Sequence, residues 1–116
     1  MAEVQEAGTP EARFFGADLR DVAAIEAMMA GIADWGGADI LVNNAGTGVF
    51  GPLAETSTDQ WDAVMRVNAR GPFILCREAI PHLQKQKASH IVNVSSVVGV
   101  KGYENQSAYT ASKHAL

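Results

Sequence analysis

The stretch Ile40-Leu41-Val42-Asn43-Asn44-Ala45-Gly46 decides the fold class. Its three consecutive apolar residues are typical of a short strand that is covered on both faces, and the polar and small residues after them end that strand. A second run of the same kind, His90-Ile91-Val92-Asn93-Val94, lies further along the chain. Because longer segments with helical spacing separate apolar runs of strand length, the sequence predicts an α/β fold with a parallel sheet.

The segments around these strands carry the signals of helices. From Asp21 to about Trp35, apolar residues recur at helical intervals, and Gly36-Gly37 supplies a stop. Ser57 with Gln60 three residues later is a capping-box signature, which predicts that a long helix begins there.

The remaining predictions concern an interruption of the long helix, a further strand and a last helix. Gly71-Pro72 interrupts the long helix and Pro81 falls near its end, which predicts a kink or a broken hydrogen-bond ladder near Asn68 to Pro72. We predict a further strand over residues 12–19, before the first helix. From Ala108 onward the sequence predicts a helix, preceded by a loop.

The composition of the chain excludes several classes of function. A chain of 116 residues with 47% apolar content has the size of one domain. Its net charge is -4 and its charges are scattered, so we expect no binding to nucleic acid or to an anionic membrane. No stretch reaches the roughly 18 apolar residues of a membrane span. The single cysteine, Cys76, cannot form an internal disulfide and fits a reducing compartment, so we expect a cytoplasmic protein.

Three further expectations follow from the residue pattern. Residues 1–11 are polar and contain Gly8 and Pro10, which predicts a frayed tail or the end of a helix. No signal peptide or anchor is expected there. The histidines are scattered, so we expect no metal site from His82, His90 and His114.

The stretch Gly46-Thr47-Gly48-Val49-Phe50-Gly51 has the spacing G-x-G-x-x-G directly after a predicted strand. A dinucleotide fingerprint requires a helix that opens within the glycines, so that its first amides face the pyrophosphate. Here Pro52 follows and the helix cap comes only at Ser57. We therefore expect no phosphate-binding role for this loop.

Tyr109 and Lys113 are four residues apart, which places them on one face of a predicted helix. Such spacing alone is weak, since it also fits a half-exposed Tyr beside a solvated Lys. Ser96 follows the second predicted strand, and ligands bind at the carboxyl ends of strands in α/β sheets. The Asn43 to Gly46 turn ends the other strand at the same edge, so the sequence predicts a site there.

Four motifs in this order resemble those of the short-chain dehydrogenase/reductase family: Asn43-Asn44-Ala45-Gly46, Val67-Asn68-Ala69, Asn93-Val94-Ser95-Ser96 and Tyr109-Thr110-Ala111-Ser112-Lys113. The resemblance covers nearly the whole chain. It implies a Rossmann-type, doubly wound parallel sheet with flanking helices, NAD or NADP as cofactor, and a small-molecule substrate. The implied activity is the interconversion of a secondary alcohol and a ketone by hydride transfer.

The resemblance also implies a role for each catalytic residue. Tyr109 would be the general acid or base and Lys113 its activator, because a phenol exchanges protons poorly at neutral pH unless a cation lies beside it. Ser96 would orient the substrate oxygen. Asn68 would help to hold a water that links the lysine to bulk solvent.

Seven cofactor-binding residues are implied in the same way: Asp18, Leu19, Asn44, Ala45, Gly46, Tyr109 and Lys113. Asp18 would contact the adenine amino group, or it could instead cap the helix that follows. Asn43 and Asn44 would form the cleft wall, or they could satisfy loose backbone groups at the strand end. The small Ala45-Gly46 pair allows a ligand to approach closely.

In the family, a first strand, a glycine-rich phosphate loop, a helix and a second strand would precede Ala12. We therefore expect residues 1–116 to form one partial Rossmann-type domain that is truncated at both ends, and the isolated chain to be inactive and to bind a dinucleotide weakly. The choice between NAD and NADP depends on residues near the end of that second strand.

The residues around Tyr109 and Lys113 are similar to those of 3-hydroxybutyrate dehydrogenases and 3-oxoacyl reductases, which implies a 3-hydroxyacyl or 3-oxoacyl compound as substrate. The His and Lys associated with the hydroxybutyrate carboxylate would fall at Val98 and Gln106, which disfavours that small acid. The helix from Gln60 resembles the family's dimer-forming helix, so we expect a homodimer or homotetramer. The alternative hypothesis is a catalytically inactive oligomerisation or interaction module.

Overall fold

The computed structural model describes Gly8 and residues 11–116. This part of the chain contains four α-helices and two strands: α1 (Val22–Trp35), β1 (Ile40–Asn43), α2 (Thr58–Met65), α3 (Gly71–Leu83), β2 (His90–Asn93) and α4 (Ser107–Ala115). Short 3₁₀ turns occupy Leu53–Glu55 and Val97–Gly99. Apart from Gly8 and Glu11, the tail predicted over residues 1–11 lies outside the described residues.

The two strands form a parallel pair. Ile40 lies opposite His90, and Asn43 lies opposite Asn93. Parallel neighbours need a long crossover, and helices α2 and α3 provide it. The predicted α/β class with a parallel sheet is therefore confirmed.

The predicted helix ends are also confirmed. Helix α1 begins after Asp21, whose carboxylate accepts hydrogen bonds from the backbone N–H groups of Ala23 and Ala24. It ends at Gly36, whose φ of 131° lies in the region that favours glycine. Helix α2 begins with the complete capping box of Ser57 and Gln60.

Between α2 and α3, the residues Arg66–Arg70 form one π-helical turn. The N–H of Gly71 donates to the carbonyl of Arg66, five residues earlier, and Pro72 has no N–H to donate. The predicted interruption near Asn68 to Pro72 is thus confirmed. The extra residue in this turn leaves Asn68 on the inner side of the helix, 1% exposed.

The hydrophobic core lies between α1, α3 and one face of β1. Six buried residues form it, with Leu41 packed against them: Ile25, Met29, Ile74, Leu75, Ala79 and Leu83. On the opposite face of the strand, Ile40 is 57% exposed and Val42 is 55% exposed. The expectation that β1 is covered on both faces is therefore wrong for the described residues, because the core helices pack on one side.

The strand predicted over residues 12–19 is also wrong, because this segment has no regular secondary structure. It packs by side chains instead of backbone hydrogen bonds. The Phe15 ring centroid lies 6.0 Å from that of Trp35, and the Arg13 guanidinium carbon lies 5.3 Å from the Trp35 ring. A Cβ on Gly71 would lie 3.1 Å from the Cβ of Leu19, so glycine lets the segment approach α3.

Loss of the α1 cap should lower stability measurably. We expect Asp21→Ala to lower the free energy of unfolding by about 1 kcal/mol, because two backbone N–H groups lose their acceptor. Urea unfolding followed by circular dichroism measures the change. Asp21→Asn keeps an acceptor and serves as the matched control. An alanine variant as stable as the original protein would show that the cap contributes nothing.

Candidate active site

A cavity of about 370 Å³ lies at the carboxyl ends of the two strands. The loop after β1, the segment after β2 and helix α4 supply its walls. Nine residues line it: Asn44, Gly46, Thr47, Gly48, Phe50, Val94, Ser95, Tyr109 and Lys113. Its position is the one at which open α/β sheets bind their ligands.

Tyr109 and Lys113 lie one turn apart on α4 and both face this cavity. The Lys113 Nζ lies 5.9 Å from the centroid of the Tyr109 ring, and Lys113 is only 5% exposed. A buried ammonium needs polar partners, and Nζ donates to the carbonyl oxygen of Val94 at 2.9 Å. The strand end therefore holds a positive charge beside the phenol.

The side chain of Asn68 joins the two walls of the site. Its Oδ1 accepts from the N–H of Thr47 at 2.8 Å, and its Nδ2 donates to the Thr47 carbonyl at 2.7 Å. The same Nδ2 donates to the Ser112 Oγ at 2.9 Å, and that hydroxyl donates to the Tyr109 carbonyl at 2.7 Å. One buried amide thus connects the loop after β1 to the helix that carries Tyr109.

Close packing at Gly99 and Ser95 completes this wall. The Ser95 Oγ donates to the backbone carbonyl of Lys113 at 2.9 Å. A Cβ on Gly99 would collide with the Ser95 Oγ and lie 2.9 Å from the Lys113 carbonyl oxygen, so only glycine fits here without a shift. Sequence reasoning missed Ser95, although its position next to Ser96 at the end of β2 was a usable signal.

Ser96 is placed differently from its neighbour. It caps the 3₁₀ turn Val97–Gly99, and its Oγ accepts from the N–H of Val98 at 3.3 Å. Ser95, and not Ser96, lines the cavity. The structure therefore brings Asn68, Tyr109 and Lys113 together and places Ser96 at the cap of the 3₁₀ turn, outside the cavity lining.

A second cavity, of about 220 Å³, lies between the segment before α1 and the end of β1. Leu19, Asn44 and Ala45, three of the predicted cofactor-binding residues, line it. Asn44 lines both cavities, so the two spaces meet at the same strand end. In the larger cavity, a Cβ on Gly46 would lie 3.5 Å from both the Asn68 Oδ1 and the Lys113 Nζ.

Asp18 lies outside the lining of both cavities and forms an ion pair with Arg20 at 2.7 Å. The hydrogen bonds from the Arg20 side chain, and then from its backbone N–H, lower the pKa of the Asp18 carboxyl to about 2. The alternative that Asp18 caps the next helix is wrong, because Asp21 is the cap. The exposed carboxylate stays ionised at neutral pH.

Asn43 differs from Asn44 in its surroundings. It is 5% exposed, and its Nδ2 donates to the Asn93 Oδ1 of the paired strand at 2.8 Å. This contact joins the ends of β1 and β2. Asn43 therefore connects side chains across the sheet rather than satisfying loose backbone groups.

The glycine-rich stretch Gly46 to Gly51 contains no helix. The first turn after it is the 3₁₀ turn Leu53–Glu55, and α2 begins at Thr58. Within the described residues, no cluster of three or more His, Cys, Asp or Glu side chains is placed to hold a metal ion. The helices described here are all too short or too polar to cross a membrane.

The parallel strand pair, its helical crossover and the cavity at the strand ends define an α/β protein with a ligand site at the edge of its sheet. The family model for "short chain dehydrogenase" matches residues 1–116. The chain belongs to this family.

Two relatives show how far the likeness extends. D-beta-hydroxybutyrate dehydrogenase of Cupriavidus necator is 37% identical over 117 residues, which cover 99% of this chain and 45% of the relative. 3beta-hydroxysteroid dehydrogenase of Mediterraneibacter gnavus is 37% identical over 118 residues, which cover 100% of this chain and 42% of the relative. The chain therefore spans about half the length of the curated relatives it matches.

A solved structure supports the same assignment. The crystal structure of a metagenomic short-chain oxidoreductase in complex with NADP superposes with a TM-score of 0.90 at 41% identity. The match covers 99% of this chain and 52% of the other. The Rossmann-type fold predicted from the motifs is confirmed.

Removal of the Asn68 amide should open the loop after β1. We expect Asn68→Ala to lower the free energy of unfolding by about 2 kcal/mol, because the backbone N–H and carbonyl of Thr47 and the buried hydroxyl of Ser112 each lose a hydrogen-bond partner. Hydrogen exchange of the Thr47 amide should accelerate. Asn44→Ala, at an exposed asparagine near the same loop, is the control. Unchanged protection of Thr47 in the Asn68 variant would contradict the role of this amide.

Proposed function

We propose that the protein is an NAD(P)-dependent oxidoreductase that interconverts a secondary alcohol and a ketone by hydride transfer, with Tyr109 as the general acid or base. The observation that carries this proposal is the pairing of Tyr109 with the buried ammonium of Lys113 in one cavity at the strand ends. Family membership adds to it, since the relatives are named as dehydrogenases.

The lining of the two cavities fits NAD or NADP. The smaller cavity offers the apolar Leu19 and the small Ala45, which suit a flat base, and the larger one contains Lys113. Gly46 lets a ribose approach the Lys113 ammonium, because no side chain stands between them. Asp18 would meet the adenine amino group only if Arg20 moved aside. When bound, the nicotinamide supplies the position that takes up or releases the hydride.

The protein's own residues would handle the proton. Tyr109 would remove the hydroxyl proton of the alcohol during oxidation and return it to the carbonyl oxygen during reduction. The Lys113 ammonium, 5.9 Å from the centroid of the Tyr109 ring, would stabilise the negative charge that develops on the phenol oxygen in the first of these steps. Ser96 lies outside the cavity lining, next to Ser95, which is part of it. The Ser96 Oγ accepts from Val98, so its own O–H remains as a donor for a substrate oxygen that reaches beyond this lining.

Asn68 would contribute in two ways. Its side chain positions Thr47 and α4 through the hydrogen bonds described above. Its backbone carbonyl lacks the usual helical donor four residues later, because Pro72 has no N–H. The missing donor at Pro72 supports the proposal that Asn68 helps to hold a water linking Lys113 to bulk solvent.

The proposed substrate class is the chemical group that the named substrates of the relatives share. One relative is named for a hydroxybutyrate and another for a hydroxysteroid, so a secondary alcohol is what their named substrates have in common. A 3-hydroxyacyl or 3-oxoacyl compound is one member of that class. A cytoplasmic location is proposed on the ground that Cys76, the chain's one cysteine, fits a reducing compartment.

The Tyr109 assignment can be tested with the chain's second tyrosine as control. We expect Tyr109→Phe to lower turnover at least about 100-fold, because the proton carrier is lost. NAD(P)H absorbance, with a panel of ketones and alcohols and the intact protein, measures the rate. Tyr103→Phe changes an exposed tyrosine whose ring lies 5.4 Å from the Lys101 Nζ, and it should keep full activity. Full activity in the Tyr109→Phe variant would end the assignment.

We also propose that the intact protein is a homodimer or homotetramer. Trp61 and Phe73 lie on the long helical segment and are 37% and 62% exposed. Large apolar side chains on an exposed helix are candidates for a subunit contact. The same surface would serve the alternative function, an interaction module without catalysis.

Sedimentation velocity tests the contact. We expect Phe73→Glu to weaken self-association at least about tenfold, because a charge would be buried in the contact. Phe14→Glu changes another exposed phenylalanine, outside the helices, and should leave association unchanged. A monomer at all concentrations would refute the oligomer. A stable oligomer without turnover of any ketone or alcohol would instead favour the interaction module.

A further inference from the structure

Phe50 lies in the loop after β1 and faces the same cavity as Tyr109. The two ring centroids are 5.8 Å apart and the ring planes meet at 66°, which is an edge-to-face arrangement. Phe50 is nevertheless 64% exposed. A single exposed apolar residue is ordinary, so the contact with Tyr109, and not the exposure, is the informative observation.

The ring is held in place by the backbone around it. A Cβ on Gly48 would lie 2.8 Å from the Phe50 Cζ, so the ring rests directly over a glycine. The N–H of Gly51 donates to the Asn105 carbonyl at 2.9 Å, which ties this loop to the segment before α4. Gly51 has a φ of +153°, a conformation that side chains rarely adopt. The glycines therefore set the ring beside Tyr109.

The charge of the cavity limits what can bind beside this ring. Among the described residues that line it, Lys113 is the one charged side chain. Its ammonium is buried and already donates to the Val94 carbonyl. A carboxylate on the substrate would find no exposed cation in this lining, whereas a neutral apolar group would cover the Phe50 ring and gain its contact area.

We infer that Phe50 is a specificity-determining residue, which binds a flat apolar group attached to the substrate's carbonyl or carbinol carbon. The favoured substrates are then neutral aryl ketones and the corresponding alcohols. The expectation that these ketones are turned over rests on the proposed oxidoreductase function. The expectation that they bind beside Phe50 does not. The inference thus narrows the substrate class of the site around Tyr109.

Binding of matched ketones tests the subsite directly. Ligand-detected NMR titrations of the intact protein, with and without NADP, give the dissociation constants of acetophenone and cyclohexyl methyl ketone. We expect Phe50→Ala to weaken acetophenone binding about 5- to 10-fold, through loss of ring contact and buried apolar area. Phe50→Leu should weaken acetophenone more than the cyclohexyl ketone. Leu53→Ala, at an exposed residue outside the cavity lining, is the control.

A second variant alters the position of the Phe50 ring without replacing Phe50 itself. Gly48→Ala should displace the Phe50 ring, because the new methyl group and the ring tip cannot both occupy their positions. We expect it to weaken acetophenone in the same direction as Phe50→Ala. Acetophenone affinity that is unchanged in both variants, absent in the original protein, or lower than that of acetoacetate would overturn the inference.

Steady-state rates separate this inference from the proposed function. With NADPH, Phe50→Ala should lower kcat/KM for acetophenone more than that for butanone, so that the ratio of the two values falls. If neither ketone is reduced but acetophenone binding still depends on Phe50, the oxidoreductase proposal fails and the subsite stands. If both ketones are reduced and their ratio is the same in the variant, the subsite fails and the oxidoreductase proposal stands.

Discussion

The buried carboxamide of Asn68 is the contact on which the site depends. It bonds both backbone polar groups of Thr47 and the hydroxyl of Ser112, so it connects two chain segments that are far apart in sequence. Because the amide is 1% exposed, water cannot replace a lost partner, and each unmade bond would cost its full desolvation. The relative position of the loop and α4, and with it the shape of the cavity, follows from this one group.

The π-helical turn explains how Asn68 reaches that position. An uninterrupted α-helix across Arg66–Arg70 would repeat every 3.6 residues, and one additional residue in the turn rotates the following helix by about 100°. Pro72 lowers the free-energy cost of the interruption, since it has no N–H group that could lose a hydrogen bond. The local break therefore lets α3 present its apolar face to the core while Asn68 faces the site. Such turns are frequent at functional sites.

The charge and the shape of the cavity have separate sources. Lys113 brings a buried cation that is held at the strand end by the Val94 carbonyl, and Gly99 allows Ser95 to approach the same helix. Phe50 and Tyr109 form the apolar part of the wall. Under the proposed function, Lys113 and the Tyr109 hydroxyl would serve proton transfer, and the Phe50 ring would bind an apolar substituent. Chemistry and selectivity would then reside on two segments, α4 and the loop after β1.

The sequence by itself determined the helix caps at Asp21 and Ser57, the break before Pro72, the parallel α/β class, and the family. These signals depend on residues within a few positions of each other, or on motifs in a given order. Only the tertiary structure decided that residues 12–19 form no strand, that Ile40 stays exposed, and that Ser95 lines the cavity while Ser96 caps a turn. Strand pairing, the burial of each strand face and the lining of a cavity depend on which distant segments become neighbours. The residue pattern within one segment does not specify these neighbours.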